Sequence, residues 1–139
     1  MKEIKNPRIK VEKYNKMKKI TGIRGATCSD NTKEEIVNYV CQMCNSIIEE
    51  NDLSTDDIVS IQFSITRDLT ALNPATALRT GPMRYDMSNV PLFCSQEPEI
   101  EGGMEYVIRV LFLVYINEFS LRHNIYINGA ERLRPDFLK

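Results

Sequence analysis

The chain has 139 residues, 42% of them hydrophobic and 27% charged, with a formal net charge of −1. That length holds one domain able to bury roughly two-thirds of its unfolded surface, and the composition is that of an ordinary globular protein. No run of about eighteen apolar residues is present to cross a bilayer, and the opening residues lack the apolar stretch of a signal peptide, so a cytoplasmic protein with no membrane partner is expected.

Charge is unevenly spread. Residues 1–19 hold eight Lys or Arg against Glu3 and Glu12, while the rest of the chain holds ten basic and seventeen acidic residues. The basic arm has no aromatic interleaving beyond Tyr14 and reads as a flexible extension before a domain at 20–139, not as a nucleic-acid contact.

Residues 20–27 read as a first strand, with Gly22 and Gly25 on either side of Ile23 and Arg24. Glycine inside a strand often marks the close approach of another backbone or a ligand. Arg24 is then either an exposed strand residue or part of a site. Thr32-Lys33-Glu34-Glu35 forms a capping box. The helix it opens keeps Ile36, Val37, Val40, Cys41, Cys44, Ile47 and Ile48 on one face and runs out near Glu50-Asn51-Asp52. Cys41 and Cys44 belong to that apolar stripe. With Cys28, Cys94 and the single His123 they make no zinc set, so free thiols and no metal are expected.

Ser54-Thr55-Asp56-Asp57 reads as one capped turn, after which Val59, Ile61, Phe63 and Ile65 alternate with polar residues as an amphipathic strand. Asn73-Pro74 opens a shorter helix that carries Arg79 and ends at Thr80-Gly81-Pro82. A loose segment leads to residues 90–116, read as a short strand, a polar turn at Gly102-Gly103, and a long apolar strand over 106–116. The only charge on that last strand is Arg109. A cation buried in an apolar run costs roughly several kcal/mol unless an anion meets it. Arg109 therefore either pairs with an internal carboxylate, Glu97 being the nearest, or waits for an anionic ligand. A polar connection over 117–123, a short strand over 125–127 and a turn at Asn128-Gly129 complete the domain. The order predicts an α+β mixed sheet with helices on one face.

Neither a Ser, His and Asp cluster nor a phosphate-cradling glycine loop is found in the sequence. What remains is Arg24 and Arg109, with Arg79 and Arg134, near Glu97, Tyr126 and Cys94 in the expected fold. Guanidinium forks clamp carboxylates in a fixed plane, so such a set suits a small, multiply anionic ligand. A purely structural ion-pair network is the competing reading.

Several separate motifs sharpen this. Gly22-Ile23-Arg24-Gly25-Ala26-Thr27, the helix ending Ile47-Ile48-Glu49-Glu50-Asn51, Asp68-Leu69, Pro74-Ala75, Val90-Pro91, Cys94, Gln96-Glu97, Gly102-Gly103, Ile108-Arg109-Val110, Arg122-His123, Tyr126 and Leu133-Arg134-Pro135-Asp136 follow one another in register over about residues 20–136. In this the chain resembles the small trimeric, barrel-type chorismate mutases. The resemblance implies a pseudo-α/β barrel formed by a homotrimer with active sites at the subunit interfaces. It also implies a cofactor-free rearrangement of chorismate to prephenate.

By the same resemblance, Arg109 supplies a cation to the breaking ether oxygen, and Arg24 and Tyr126 bind the side-chain carboxylate. Glu97 accepts a hydrogen bond from the ring hydroxyl, with Cys94 in contact with the same region. Phe93, Ser95 and Gln96 line the pocket; Asn73, Ala75, Thr76, Arg79, Leu133 and Arg134 wall it, in part from a neighbouring subunit. Three positions depart from the family's usual residues. Asn73 stands where an aromatic is usual, Thr76 replaces a common Lys, and Phe93 replaces a Thr. Two other readings stay open: an imine-hydrolysing deaminase on a similar trimeric fold, and a non-catalytic binding module for an aromatic-pathway carboxylate.

Overall fold

A computed structural model describes residues 17–138. The strands are β1 (Lys18–Cys28), β2 (Ile58–Ile65), β3 (Leu92–Gln96), β4 (Val107–Asn117) and β5 (Ile125–Ile127), and the helices are α1 (Lys33–Glu50) and α2 (Pro74–Thr80). The strands form one sheet in the order β3-β2-β4-β1-β5. Strand β4 runs antiparallel to β1 and β2, whereas β3 is parallel to β2 and β5 to β1. The sheet is therefore mixed, as the element order predicts. Its first strand opens at Lys18, so Lys18 and Lys19 belong to the sheet and not to a flexible extension. Most of the basic arm lies outside the described residues.

Local chemistry explains the helices. The Thr32 hydroxyl accepts the Glu35 amide at 3.1 Å, and the Glu35 carboxylate reaches back to the Asp30 amide. From that cap, α1 buries Ile36, Val40, Cys41, Met43, Cys44, Ile47 and Ile48. Asn73 caps α2 by accepting the Ala75 amide at 2.8 Å, with Pro74 at the first helical position. Both helices pack on the same face of the sheet, in one core with Ile23, Ile61, Phe63, Val110 and Phe112. A Cβ on Gly25 would lie 3.0 Å from the Ile125 carbonyl, 3.0 Å from Ile47 and 3.1 Å from Val110. Gly25 thus lets α1 and β5 close on β1. The close approach is to the protein itself, not to a ligand.

Strand β4 sets the geometry of the other face. Ile108, Val110, Phe112, Val114 and Ile116 point to the helices and are buried, while Arg109, Leu111, Leu113 and Tyr115 point away from them. The sequence suggested that Arg109 sits inside a greasy run; the structure corrects this. The run alternates, and its continuous apolar character arises because the outward row carries Leu111, Leu113 and Tyr115 as well. The strand also starts at Val107, one residue later than the sequence suggested, because Tyr106 takes a left-handed φ of 58°. At one end of the outward face lies a second small cluster: Ala26, Val107 and Ala130, with Tyr126, Leu133, Cys28 and Met104 packed around them.

Candidate active site

Strand pairing assembles a row of residues across the sheet. Arg109 on β4 is opposite Ala26 on β1 and Ser64 on β2; Ala26 pairs with Tyr126 on β5, and Ser64 with Ser95 on β3. Arg24 lies one outward position along β1, opposite Leu111. Arg24, Arg109 and Tyr126 therefore surround the small Ala26 on one face.

Glu97 follows β3 directly, and its amide donates to the Ile65 carbonyl at 2.7 Å. This anchors it beside β4, where its Oε2 lies 3.0 Å from Arg109 Nε in an ion pair. The Ser64 hydroxyl donates to the same carboxylate oxygen. The Arg109 side chain remains 44% exposed and that of Glu97 19%. Exposure of this size screens the pair, so its geometry matters more than its contribution to stability. Both terminal guanidinium nitrogens of Arg109 have no hydrogen-bond partner among the described residues. Arg109 and Glu97 line a cleft of about 980 Å³, walled also by residues 66–68, 98–100, 102–105 and 132–133.

The cleft wall contains residues to which the sequence assigned no role. Asp68 receives the Tyr106 amide on both carboxylate oxygens at 3.1 Å and the Thr66 hydroxyl at 2.6 Å; the Val107 amide donates to that hydroxyl at 3.0 Å. This lattice holds the strained Tyr106 and fixes the entry of β4, two residues before Arg109. Arg67 pairs with Glu99 at 3.1 Å across the rim. Ser64 and Arg132 were also missed. For Ser64 a signal existed: it is an outward polar position of an alternating strand.

The other expected residues fall into three groups. Tyr126 and Leu133 pack in the second cluster, and Leu133 reaches the cleft. Arg134 is held in a fork by Asp136, at 3.0 Å and 2.7 Å. That carboxylate, and to a lesser degree Tyr126, raises the pKa of the Arg134 guanidinium; the Asp136 carboxyl is lowered by Arg134 first, with Arg24 adding a smaller share. The tail thus gathers near Arg24 and Tyr126.

Phe93 and Ser95 are exposed on β3, and Phe93 is 70% exposed. Cys94 alternates to the helix side, paired with the buried Phe63 and packed on the main core; burial pushes its thiol up. Its side chain does not join Arg109. Gln96 is exposed at the end of β3.

The residues on α2 stand apart from the cleft within one chain. Asn73 is taken up with capping, Thr76 is exposed, and Ala75 is half-buried against the core. Arg79 lines a separate pocket of about 270 Å³ and donates to the carbonyls of Met87, Ser88 and Val90 at 3.3, 3.4 and 3.0 Å. Among the described residues no cluster of His, Cys, Asp and Glu is placed to hold a metal ion.

Comparison with known proteins agrees with this arrangement. Residues 20–137 match the family model of chorismate mutase type I. Chorismate mutase AroH of Bacillus subtilis strain 168 is 39% identical over 121 residues, which is 84% of this chain and 91% of that protein. Its counterpart in Thermus thermophilus is 35% identical over the same share of this chain and 95% of its own length. A solved chorismate mutase from Clostridium thermocellum superposes with a TM-score of 0.70 at 36% identity, covering 81% of this chain and 98% of that one. The α+β sheet, the cleft and the matched length together place this chain in the type I chorismate mutase family.

Proposed function

We propose that the chain is an isomerase that converts chorismate to prephenate, on the route to phenylalanine and tyrosine, and that Arg109 is its central catalytic group. The observation that carries this reading is the Arg109–Glu97 ion pair on the wall of the cleft, with no hydrogen-bond partner for the terminal guanidinium nitrogens among the described residues. The reaction breaks a carbon–oxygen bond as a carbon–carbon bond forms within one molecule. As the ether bond stretches, negative charge gathers on its oxygen. A guanidinium already fixed by Glu97 meets that charge without reorganising, so it favours the transition state over the bound substrate.

The remaining roles follow from the same face of the sheet. Chorismate is a dianion whose enolpyruvyl arm must fold over the ring, and holding that shape is orientation work. Arg24 and Tyr126, across Ala26 from Arg109, take the arm's carboxylate. Glu97 uses Oε2 for Arg109 and Ser64, which leaves Oε1 to accept the ring hydroxyl. Phe93 and Ser95 border this region, along with the backbone at Cys94. Asn73, Ala75, Thr76 and Arg79 complete the wall from a neighbouring copy, which is why they stand apart within one chain.

The reading therefore includes a homotrimer with sites between subunits. Its support is the outward row of Leu111, Leu113 and Tyr115, with Ile20 beside it, an apolar sheet face of the kind that marks an interface. We place the protein in the cytoplasm, where four free thiols suit a reducing compartment. The decisive experiment is an ultraviolet assay for loss of chorismate by the purified protein with no cofactor added, prephenate being identified as product. Binding of chorismate without turnover would leave a silent binding module instead.

A further inference from the structure

Charges on the cleft wall are almost all paired within the protein. Arg67 is held by Glu99, and Arg109 by Glu97. Asp68 is held by the Tyr106 amide and the Thr66 hydroxyl; among the described residues Arg132 and Glu105, both exposed and both lining the cleft, are in no ion pair. Arg132 sits on the short 3₁₀ turn Ala130–Leu133, whose Leu133 packs into the cluster containing Tyr126. Its Nε donates to the Gly129 carbonyl at 3.2 Å, which fixes the base of the guanidinium. No carboxylate among the described residues pairs with it, and its neighbour Glu131 is turned back onto the Gly129 amide at 2.7 Å. The result is an exposed, anchored cation whose guanidinium also meets the Cys28 thiol, on the wall that Arg109 shares.

We propose that Arg132 is a second anion anchor of this cleft. It takes the ring carboxylate of chorismate while Arg24 and Tyr126 hold the carboxylate of the enolpyruvyl arm; this rests on the chorismate reading above. Two anionic groups on one small molecule need two separated cations, and mutual repulsion keeps them from sharing one. Glu105 repels an anion, so it biases the second carboxylate toward Arg132. The role is binding, made equally in substrate and transition state, so its loss raises KM more than it lowers kcat. Arg132 also adds a cation to a family pocket in which Thr76 replaces a usual Lys.

The test uses Arg132→Leu and Arg132→Lys beside the unaltered protein. The readouts are chorismate kinetics, thermal unfolding, and affinity for two bicyclic transition-state mimics, one with both carboxylates and one with the ring carboxylate replaced by hydrogen. A partly exposed charge-assisted contact predicts about a tenfold rise in KM, and in Kd for the dicarboxylate, in Arg132→Leu. Arg132→Lys, which keeps the charge, recovers most of the loss. The monocarboxylate binds the unaltered protein and Arg132→Leu alike. Equal losses for both mimics, or no change in KM, would overturn the proposal. If Arg132→Leu fails to fold, the Lys variant decides: a selective loss for the dicarboxylate on adding salt supports the anchor, and indifference to salt rejects it. Failure of the unaltered protein to turn over chorismate sinks the enzymatic reading separately, while the comparison of mimics still judges Arg132.

Discussion

Arg109 and Lys carry the same charge, yet they are not equivalent in this site. Glu97 pairs with the guanidinium on its Nε side, and the two terminal nitrogens have no partner among the described residues; an ammonium paired with Glu97 has no second nitrogen to offer. Arg109→Lys is expected to lower kcat/KM by roughly a thousandfold, the usual scale for loss of a preorganised donor worth about 3–4 kcal/mol in the transition state. Steady-state assays on the purified variant check this, and near-native turnover would remove Arg109 from its role. Ser64 acts one step back. Its hydroxyl steadies the Glu97 carboxylate, so Ser64→Ala should reduce kcat by about tenfold, the scale of one hydrogen bond to a charged group, with little loss of thermal stability. A Ser64→Ala drop in KM performance alone, with kcat intact, would show that Glu97 needs no such support. Arg109 was legible in the sequence because a charge in an apolar strand stands out against its neighbours. Ser64 gave only the weaker signal of an outward polar position, and strand pairing is needed to bring it beside Glu97; Arg132, a polar residue among polar residues, gave no contrast, and the 3₁₀ turn brings it to the cleft.

Elements with a clear period were the easiest to read. Helix α1 declared itself through its capping box and three-and-four spacing and is found where the pattern put it; β2 follows its alternation from Ile61 on, but a bulge between Ile58 and Ser60 buries Ile58 and leaves Val59 exposed, against the expected core face. Strand β4 misled, since apolar residues on both faces erase the period of two. The inward face of Cys94 was equally hidden: a five-residue strand fixes its phase only through pairing with β2. Burial in α1 has a chemical consequence. It pushes the Cys41 thiol up to about 11 and that of Cys44 well above its ordinary 9.0. A raised pKa in the fold means that the unfolded chain gives up its thiol protons first. The stabilisation is complete below about pH 9 and declines as pH rises toward 11 and beyond, at no more than about 1.4 kcal/mol per pH unit for each thiol. Denaturant melts between pH 8 and pH 11 should show this decline, and alkylation at pH 8 should spare both thiols in the native protein. Rapid native labelling of Cys44 would contradict its burial.

At the scale of the whole molecule, the outward face of the sheet holds more apolar surface than a lone chain needs. Leu111, Leu113 and Tyr115 are 39, 36 and 45% exposed, and Ile20 on the neighbouring strand is 52% exposed. A ring of three copies covers such a face through one repeated, closing contact. Such a ring would also account for the α2 residues expected at the site not reaching the cleft of their own chain. Leu113→Glu separates the two functions of the strand. Its side chain points away from the helices, opposite Gly22, so the charge leaves the core of a single chain undisturbed. Within an assembled interface the same carboxylate is buried without a partner, a cost of several kcal/mol on the scale of about 3–5 for an uncompensated charge. Sedimentation should therefore show three chain masses for the unaltered protein and one for Leu113→Glu, with the helical circular dichroism retained. If the missing wall of each site comes from another copy, activity should fall with the assembly and return in part at high protein concentration. Turnover by an unaltered protein that sediments as a single chain would place the complete site within one fold and end the interface reading.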